Sequence, residues 1–341
     1  MYKMQRYALP QIVPVVGQRR AARMNNAVQT HYVQLLAQAQ VDITTLFTDV
    51  LNRGSVWALF DEVGISDGGD DVMLLDGPTL RFMSEMHSPS ALDFRRLGTA
   101  GVQAATIIRE SAKLYFAHPL SANPSETVFR ERDKGNQVEV FVNQKAAGAT
   151  LNGLARGAGV GAVTNVTVDS TQHADRFTPA PPLFIPTVRQ MVVPVAAANP
   201  ALEAIIKVQN PLRAIIVKQE TDQGEVGDII TSLRLLSDTR QIIGPNFESW
   251  RKLTQEQQYE FGGDVFDDAS GYGQNGYLGL NFQTAGRLSN VLDAPREPNL
   301  RFEFNSLPSA QTGATNSRIR ITLIELERRA GLVAAEVPFA I

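Results

Sequence analysis

Residues 299–306 read Asn-Leu-Arg-Phe-Glu-Phe-Asn-Ser, with Leu300, Phe302 and Phe304 alternating with Arg301, Glu303 and Asn305. Successive side chains of a strand point to opposite faces, so this octet offers one face to a core and one to water or a partner. The same period of two recurs on both sides of it. Downstream, Ile319, Ile321 and Leu323 alternate with Arg320 and Thr322. Upstream, Leu278, Leu280 and Phe282 alternate with Gly279, Asn281 and Gln283, and Val166 and Val168 flank Thr167. Val138, Val140 and Val142 alternate with Glu139, Phe141 and Asn143, and Leu80 and Phe82 with Arg81 and Met83. Each reads as a strand, and the segments between them (SDGGDD, GATLNGLARGAGVG, GYGQNG, SLPSAQTGATNS) are rich in turn residues. The pattern is all-β.

Two short helices interrupt it. Asn123-Pro124-Ser125-Glu126 has a cap residue, a proline at the first helical position and a glutamate at the third, and predicts a helix ending at Gly135. Asn246 predicts another through FESWRKL, with Phe247, Trp250 and Leu253 on one face. Strands, a capped helix and more strands therefore occur twice. Between the two sets lies FTPAPPLFIPTV, residues 177–188, whose prolines make it stiff and extended, and the boundary is placed near residue 184. This predicts two tandem jelly-roll β-sandwiches, residues 42–183 and 184–330, followed by a tail, 331–341.

Residues 1–41 read as a region of their own. They carry Lys3, Arg6, Arg19, Arg20 and Arg23 and no acidic residue before Asp42. Met24, Val28, His31, Tyr32, Leu35 and Ala39 follow three- and four-residue spacing, which predicts an amphipathic helix behind a proline-broken arm. Such a stripe needs a surface to cover it, and the five cations suit the phosphates of lipid or nucleic acid.

The chain has 341 residues, 43% hydrophobic and 20% charged, which is a globular composition. A net charge of -3 argues against wholesale or sequence-specific nucleic-acid binding. With no cysteine there is no disulfide, thiolate metal site or thiol catalysis. The short, proline-interrupted apolar start is not a signal peptide, and residues 24–41 are too rich in Gln and Asn to span a bilayer, so synthesis in the cytoplasm is expected.

Gly64-Ile65-Ser66-Asp67-Gly68 matches the hydrolase pattern G-x-S-x-G. A nucleophile elbow needs a helix directly after the serine, whereas Gly68-Gly69-Asp70-Asp71 and a strand-like VMLL follow. The stretch reads as a turn between strands, and no catalytic residue is assigned. Asp67, Asp70 and Asp71, and likewise Asp264, Asp267 and Asp268, could offer oxygens to Ca²⁺ but lack the EF-hand spacing, so they read as solvated loop acids. GLARGAGVG lacks the G-K-[ST] of a phosphate loop and reads as a surface loop. The four histidines are scattered, without a metal-binding spacing, and Trp57 and Trp250 read as core anchors. No cofactor or metal is assigned.

The run 211–261, PLRAIIVKQETDQGEVGDIITSLRLLSDTRQIIGPNFESWRKLTQEQQYEF, resembles the C–D strands and following short helix of viral double jelly-roll capsid proteins. GYGQNGYLGLNFQTAG, NLRFEFNSL and SRIRITLIELER look like the closing strands of the same roll, and the basic N-terminal arm is similar to that family's. These are major capsid proteins of tailless icosahedral bacteriophages with an internal membrane: tectiviruses, corticoviruses and finnlakeviruses. The resemblance implies a virion location and two rolls side by side. It also implies three chains in a pseudo-hexagonal capsomer, minor capsid and vertex proteins as partners, and no chemistry. It further implies that Lys3, Arg6, Arg19, Arg20 and Arg23 lie near membrane lipids or adjoining capsid proteins. Removal of residues 1–23 would then leave trimers intact but impair particle assembly. The rivals are a two-domain carbohydrate-binding or spike protein, disfavoured by 7% aromatic content, and an esterase using Ser66.

Overall fold

The structure, a computed structural model, describes residues 4–43, 56–87, 95–96, 103–121, 123, 126–130, 136–145, 160–176, 184–195, 199–220, 229–249, 252–253, 276–306 and 317–328. It divides into two compact units, Met1–Thr187 and Val188–Ile341.

The first unit is built from β1 (Gln5–Ala8), β2 (Arg19–Arg23), β3 (Val28–Ile43), β4 (Phe60–Asp67), β5 (Asp70–Leu75), helix α1 (Gly77–His87), the two-residue β6 (Arg95–Arg96), β7 (Gln103–Tyr115), β8 (Val138–Gln144) and β9 (Val160–Arg176). The strands form two antiparallel sheets, ordered β1-β9-β3-β7-β6 and β2-β8-β4-β5. Setting β6 aside, the first strand pairs with the last, the second with the second-last, and so inwards to the hairpin β4–β5. These four pairs alternate between the sheets, and β3·β9 and β4·β8 join them. This is a long hairpin rolled up into a sandwich, the topology of a jelly roll.

The second unit repeats it. Its strands are β10 (Phe184–Val195), β11 (Asn199–Ile205), β12 (Leu212–Glu220), β13 (Ile230–Leu236), β14 (Gln241–Ser249), β15 (Tyr277–Asn281), β16 (Arg301–Ser306) and β17 (Ser317–Arg328). They are ordered β10-β17-β12-β15 and β11-β16-β13-β14, the same nested scheme. The octet that opened the sequence reading supplies β16, and Phe302 and Phe304 are wholly buried with Leu233, Leu235, Ile215, Val217, Ile319 and Ile321 in a core drawn from both sheets. The run 211–261 supplies the third to fifth strands of this roll rather than the second and third.

The helix expected over residues 24–41 is a strand. β3 pairs with β7 on one side and β9 on the other, and Val33, Leu35, Ala37 and Ala39 are buried while Tyr32, Gln34, Leu36, Gln38 and Gln40 are half-buried. Leu35 and Ala39 fit both periods. The intervening Val33 and Ala37 decide for period two, and the two flanking strands satisfy the backbone. Residues 4–41 are thus no separate arm: β1, β2 and β3 are the first three strands of the first roll.

The reverse correction applies at Leu80 and Phe82, which lie in α1. The Asp76 carboxylate accepts from the Thr79 N–H at 2.7 Å, and Pro78 occupies the first turn. Leu80, Phe82, Met83 and Met86 are all buried, so the helix is apolar on several sides and a four-residue window imitates a strand. Of the segment after Asn123, residues 124 and 125 lie outside the described residues, Glu126 is 3-10 helical with its carboxylate accepting from Asn123 at 3.1 Å, and Phe129 is already bridged to Thr30. Residues 131–135, the end of the expected helix, lie outside the described residues. Asn246 falls inside β14, and only Lys252 and Leu253 are described as helical beyond it. Among the described residues no helix is long and apolar enough to cross a membrane.

Candidate functional site: the basic N-terminal strands

Of the five cations singled out by the sequence, Lys3 lies outside the described residues. The other four stand on edge strands. Arg6 is on β1, opposite His173 of β9. Arg19, Arg20 and Arg23 are on β2, whose partner is β8, with Arg19 opposite Asn143 and Arg23 opposite Glu139. Val15 to Gln18 turns the chain into β2, with Gly17 at φ 70° and the Gln18 N–H bonded to the Val15 carbonyl at 3.0 Å. A left-handed residue is required there, and glycine supplies it without a Cβ penalty.

On β2 only Ala22 is buried, so the strand shows its three arginines to the surroundings. Charged side chains on an edge oppose pairing with a stray strand. Arg19 is not free of counter-charge, contrary to the reading of five unopposed cations. Its guanidinium meets Asp71 at 2.9 and 3.0 Å and Glu62 at 3.4 Å, and it lies 3.8 Å from the Phe141 ring centre. The hydrogen bonds to Asp71 hold it above its already high ordinary pKa. Arg20 donates to Gln18 at 3.0 Å. Beside these charges Met4, Val13, Val15 and Val16 are exposed, so the segment is apolar as well as basic.

Asp71 is therefore a partner of Arg19, and Asp67 accepts from Asn136 at 2.8 Å. Asp264, Asp267 and Asp268 lie outside the described residues, as does GLARGAGVG up to Gly159. Among the described residues no three acidic or histidine side chains converge in a way that would hold a metal ion. Ser66 belongs to strand β4, opposite Glu139 and Asp71, and the turn begins only at Gly68 and Gly69, both with positive φ. A strand, not a helix, follows. Trp57 is wholly buried, as an anchor should be; Trp250 lies outside the described residues.

Sequence reasoning missed one assembly. Three of the four histidines, His87, His118 and His173, far apart in the chain, join one run of ring contacts in the first roll. Tyr32 stacks on His173 (ring centres 4.2 Å apart) and touches Tyr115 at 5.5 Å; Tyr115 meets His87 at 5.5 Å, and His87 meets His118 at 5.5 Å. His31, next to Tyr32, bonds Asp175 at 2.8 Å. Burial, with the Arg6 and Lys113 charges added, holds the His173 imidazole down to about 4. Only strand register brings these residues together, and no local spacing announces it.

Two eight-strand rolled hairpins in one chain, each with the same pairing scheme, define the double jelly-roll fold. Solved structures with this fold match almost the whole chain. The major capsid protein P2 of bacteriophage PM2 is 10% identical, with a TM-score of 0.60 over 97% of this chain and 100% of that one. The STIV major capsid protein (Sulfolobus turreted icosahedral virus) is 11% identical, with a TM-score of 0.68 over 98% and 100%. A chain of the PBCV-1 virus capsid is 10% identical, with a TM-score of 0.61 over 98% and 97%. At such identities the likeness is one of fold. No protein-family model matches the chain. No curated protein matches it in sequence.

Proposed function

We propose that the protein is a major capsid protein, a structural building block of an icosahedral virion, acting without chemistry of its own. The observation that carries this is the doubled roll: it matches capsid chains of three viruses over nearly the whole length of each. The reading extends to a trimeric, pseudo-hexagonal capsomer in a shell that encloses a membrane, with minor capsid and vertex proteins as further partners. Open sandwiches support it, because each sheet ends on edge strands that a neighbour in a ring would cover. Obligate interfaces of this type commonly bury more than about 2,000 Å².

In this reading Arg6, Arg20 and Arg23, with Lys3, face anionic lipid or adjoining capsid proteins, at about 1 kcal/mol per basic residue near a charged surface. Arg19 serves the roll itself, through Asp71 and Glu62. Removal of residues 1–23 is no longer a clean test, since it deletes β1 and β2 from the two sheets.

Light scattering coupled to size exclusion tests the proposal. A mass of three chains, with pseudo-hexagonal rings in negative stain, is the expected result. A monomer at all concentrations, with or without lipid, refutes the capsomer and brings a carbohydrate-binding or spike role forward.

A further inference from the structure

Arg6, His173, Tyr32 and Tyr115 form one row across four strands, β1 to β7, because each is the cross-strand partner of the next. The Lys113 ammonium lies over the same rings, 5.5 Å from the centre of Tyr32 and 5.9 Å from that of Tyr115. Arg6 faces His173 from β1, Tyr32 faces it from β3, and Lys113 approaches from β7. Asp175, two residues along β9, is engaged by His31. Beyond Tyr115 the row continues to His87 at the end of α1 and then to His118. Among the described residues no carboxylate pairs with Arg6 or Lys113. His87, His118 and His173 are all buried.

The end of the row is its weakest element. β1 is four residues long and is an edge strand, held to the sheet through β9 alone. We propose that β1 is an acid-released strap: a proton on His173 sets Arg6, His173 and Lys113 in one row of like charges and detaches Gln5–Ala8 from the first roll. An imidazolium would gain from the face of Tyr32, but Lys113 already occupies that ring system, and Arg6 stands directly opposite.

The sign follows from linkage. With β1 docked, His173 takes a proton only near pH 4; with β1 released it sheds the Arg6 charge and gains water on that side, while Tyr32 and Lys113 stay, so its value rises from there towards the ordinary 6.5. As pH falls through that window the released state binds the proton first and gains on the docked one. Between pH 7 and 4 the docking equilibrium shifts by at most on the order of 100-fold, the limit set by a fully hydrated imidazole in the released state. Above the window the strap is at full strength.

Hydrogen exchange on the full chain, corrected for intrinsic rates, tests this at pH 7 and pH 4. Protection of the Gln5–Ala8 amides is expected to fall several-fold, and by up to roughly 100-fold, at pH 4 while that of β3 and β12 persists. In His173→Phe, which keeps the ring stack and cannot charge, β1 should stay protected at pH 4. Where that variant loses β3 protection already at pH 7, Arg6→Gln decides: a strap that holds at pH 4 supports the proposal, and wild-type release overturns it. Wild-type β1 protected equally at both pH values, release in His173→Phe, or β3 opening together with β1, each also overturns it.

Discussion

Replacing Glu220 by glutamine removes a negative charge from the middle of three positive ones. Glu220 ends β12 at 2% exposure, and its oxygens take Lys218 Nζ at 2.7 Å, Arg318 Nε at 2.5 Å and Arg320 Nε at 3.0 Å. Burial alone would push this carboxyl up; the Lys218 charge and the hydrogen bonds from Arg320 and Lys218 overcome that and bring it down to about 2. Set against an ordinary value of 4.5, the difference contributes about 3 kcal/mol of stability at neutral pH. Removing one member of a buried pair typically costs about 3–5 kcal/mol, so the two lines of reasoning agree. Urea unfolding of the full chain at pH 7, with hydrogen exchange of β12 to assign the transition to the second roll, should show a loss of that size in Glu220→Gln. A carboxylate with a depressed pKa stabilises above its unfolded value and loses that contribution as pH falls through the folded one. The gap between wild type and variant must therefore narrow from about pH 4.5 downwards, towards zero near pH 2. Adding Lys218→Met to the variant should recover part of the loss, since a buried cation is removed too. A variant within about 0.5 kcal/mol of wild type at pH 7, or a gap indifferent to pH, would refute the reasoning.

Three further outcomes are expected. In Gly64→Ala the new Cβ would stand 1.9 Å from the Met73 carbonyl oxygen and 2.8 Å from Phe141 Cζ, so β4 and β5 must part; thermal melts should show a loss of at least ~1–3 kcal/mol. Leu35→Ala, on the core face of β3, should cost ~2–5 kcal/mol in chemical unfolding, and Leu36→Ala, on the opposite face, clearly less; equal losses would speak against the strand. The pair Arg20→Gln with Arg23→Gln should leave stability within ~0.5 kcal/mol and weaken sedimentation with anionic vesicles by roughly 30-fold, and unchanged sedimentation would remove lipid as their partner.

Where apolar residues recur strictly at every second position, the period can be read directly, even though the other face is covered in places, as at Phe141, Glu303 and Thr322. β8, β16 and β17 show this: Val138, Val140 and Val142 or Ile319, Ile321 and Leu323 mark one core-facing row. β3 was harder because Leu35 and Ala39 fit both periods, and its glutamines look equally polar on a helix or in the centre of a sheet. α1 was harder for the opposite reason, since a helix buried on several sides loses its stripe. The basic residues were legible as charges but not as edge-strand positions. Asp71 and Glu62, which engage Arg19, lie 52 and 43 residues away, and the row of rings joins residues as far apart as Tyr32 and His173.

From the sequence alone come the all-β class, the period of most strands, the doubling into two jelly rolls and the absence of thiol chemistry. Those properties are local or additive: alternation, turn residues and composition need no knowledge of what lies opposite. The tertiary structure alone decided that residues 4–41 belong to the first roll. It also decided which cations keep a carboxylate, and that three scattered histidines join one row of rings. Each of these depends on which strand lies beside which. In a rolled hairpin the neighbours are the first strand and the last, and the register between them is set by the whole core.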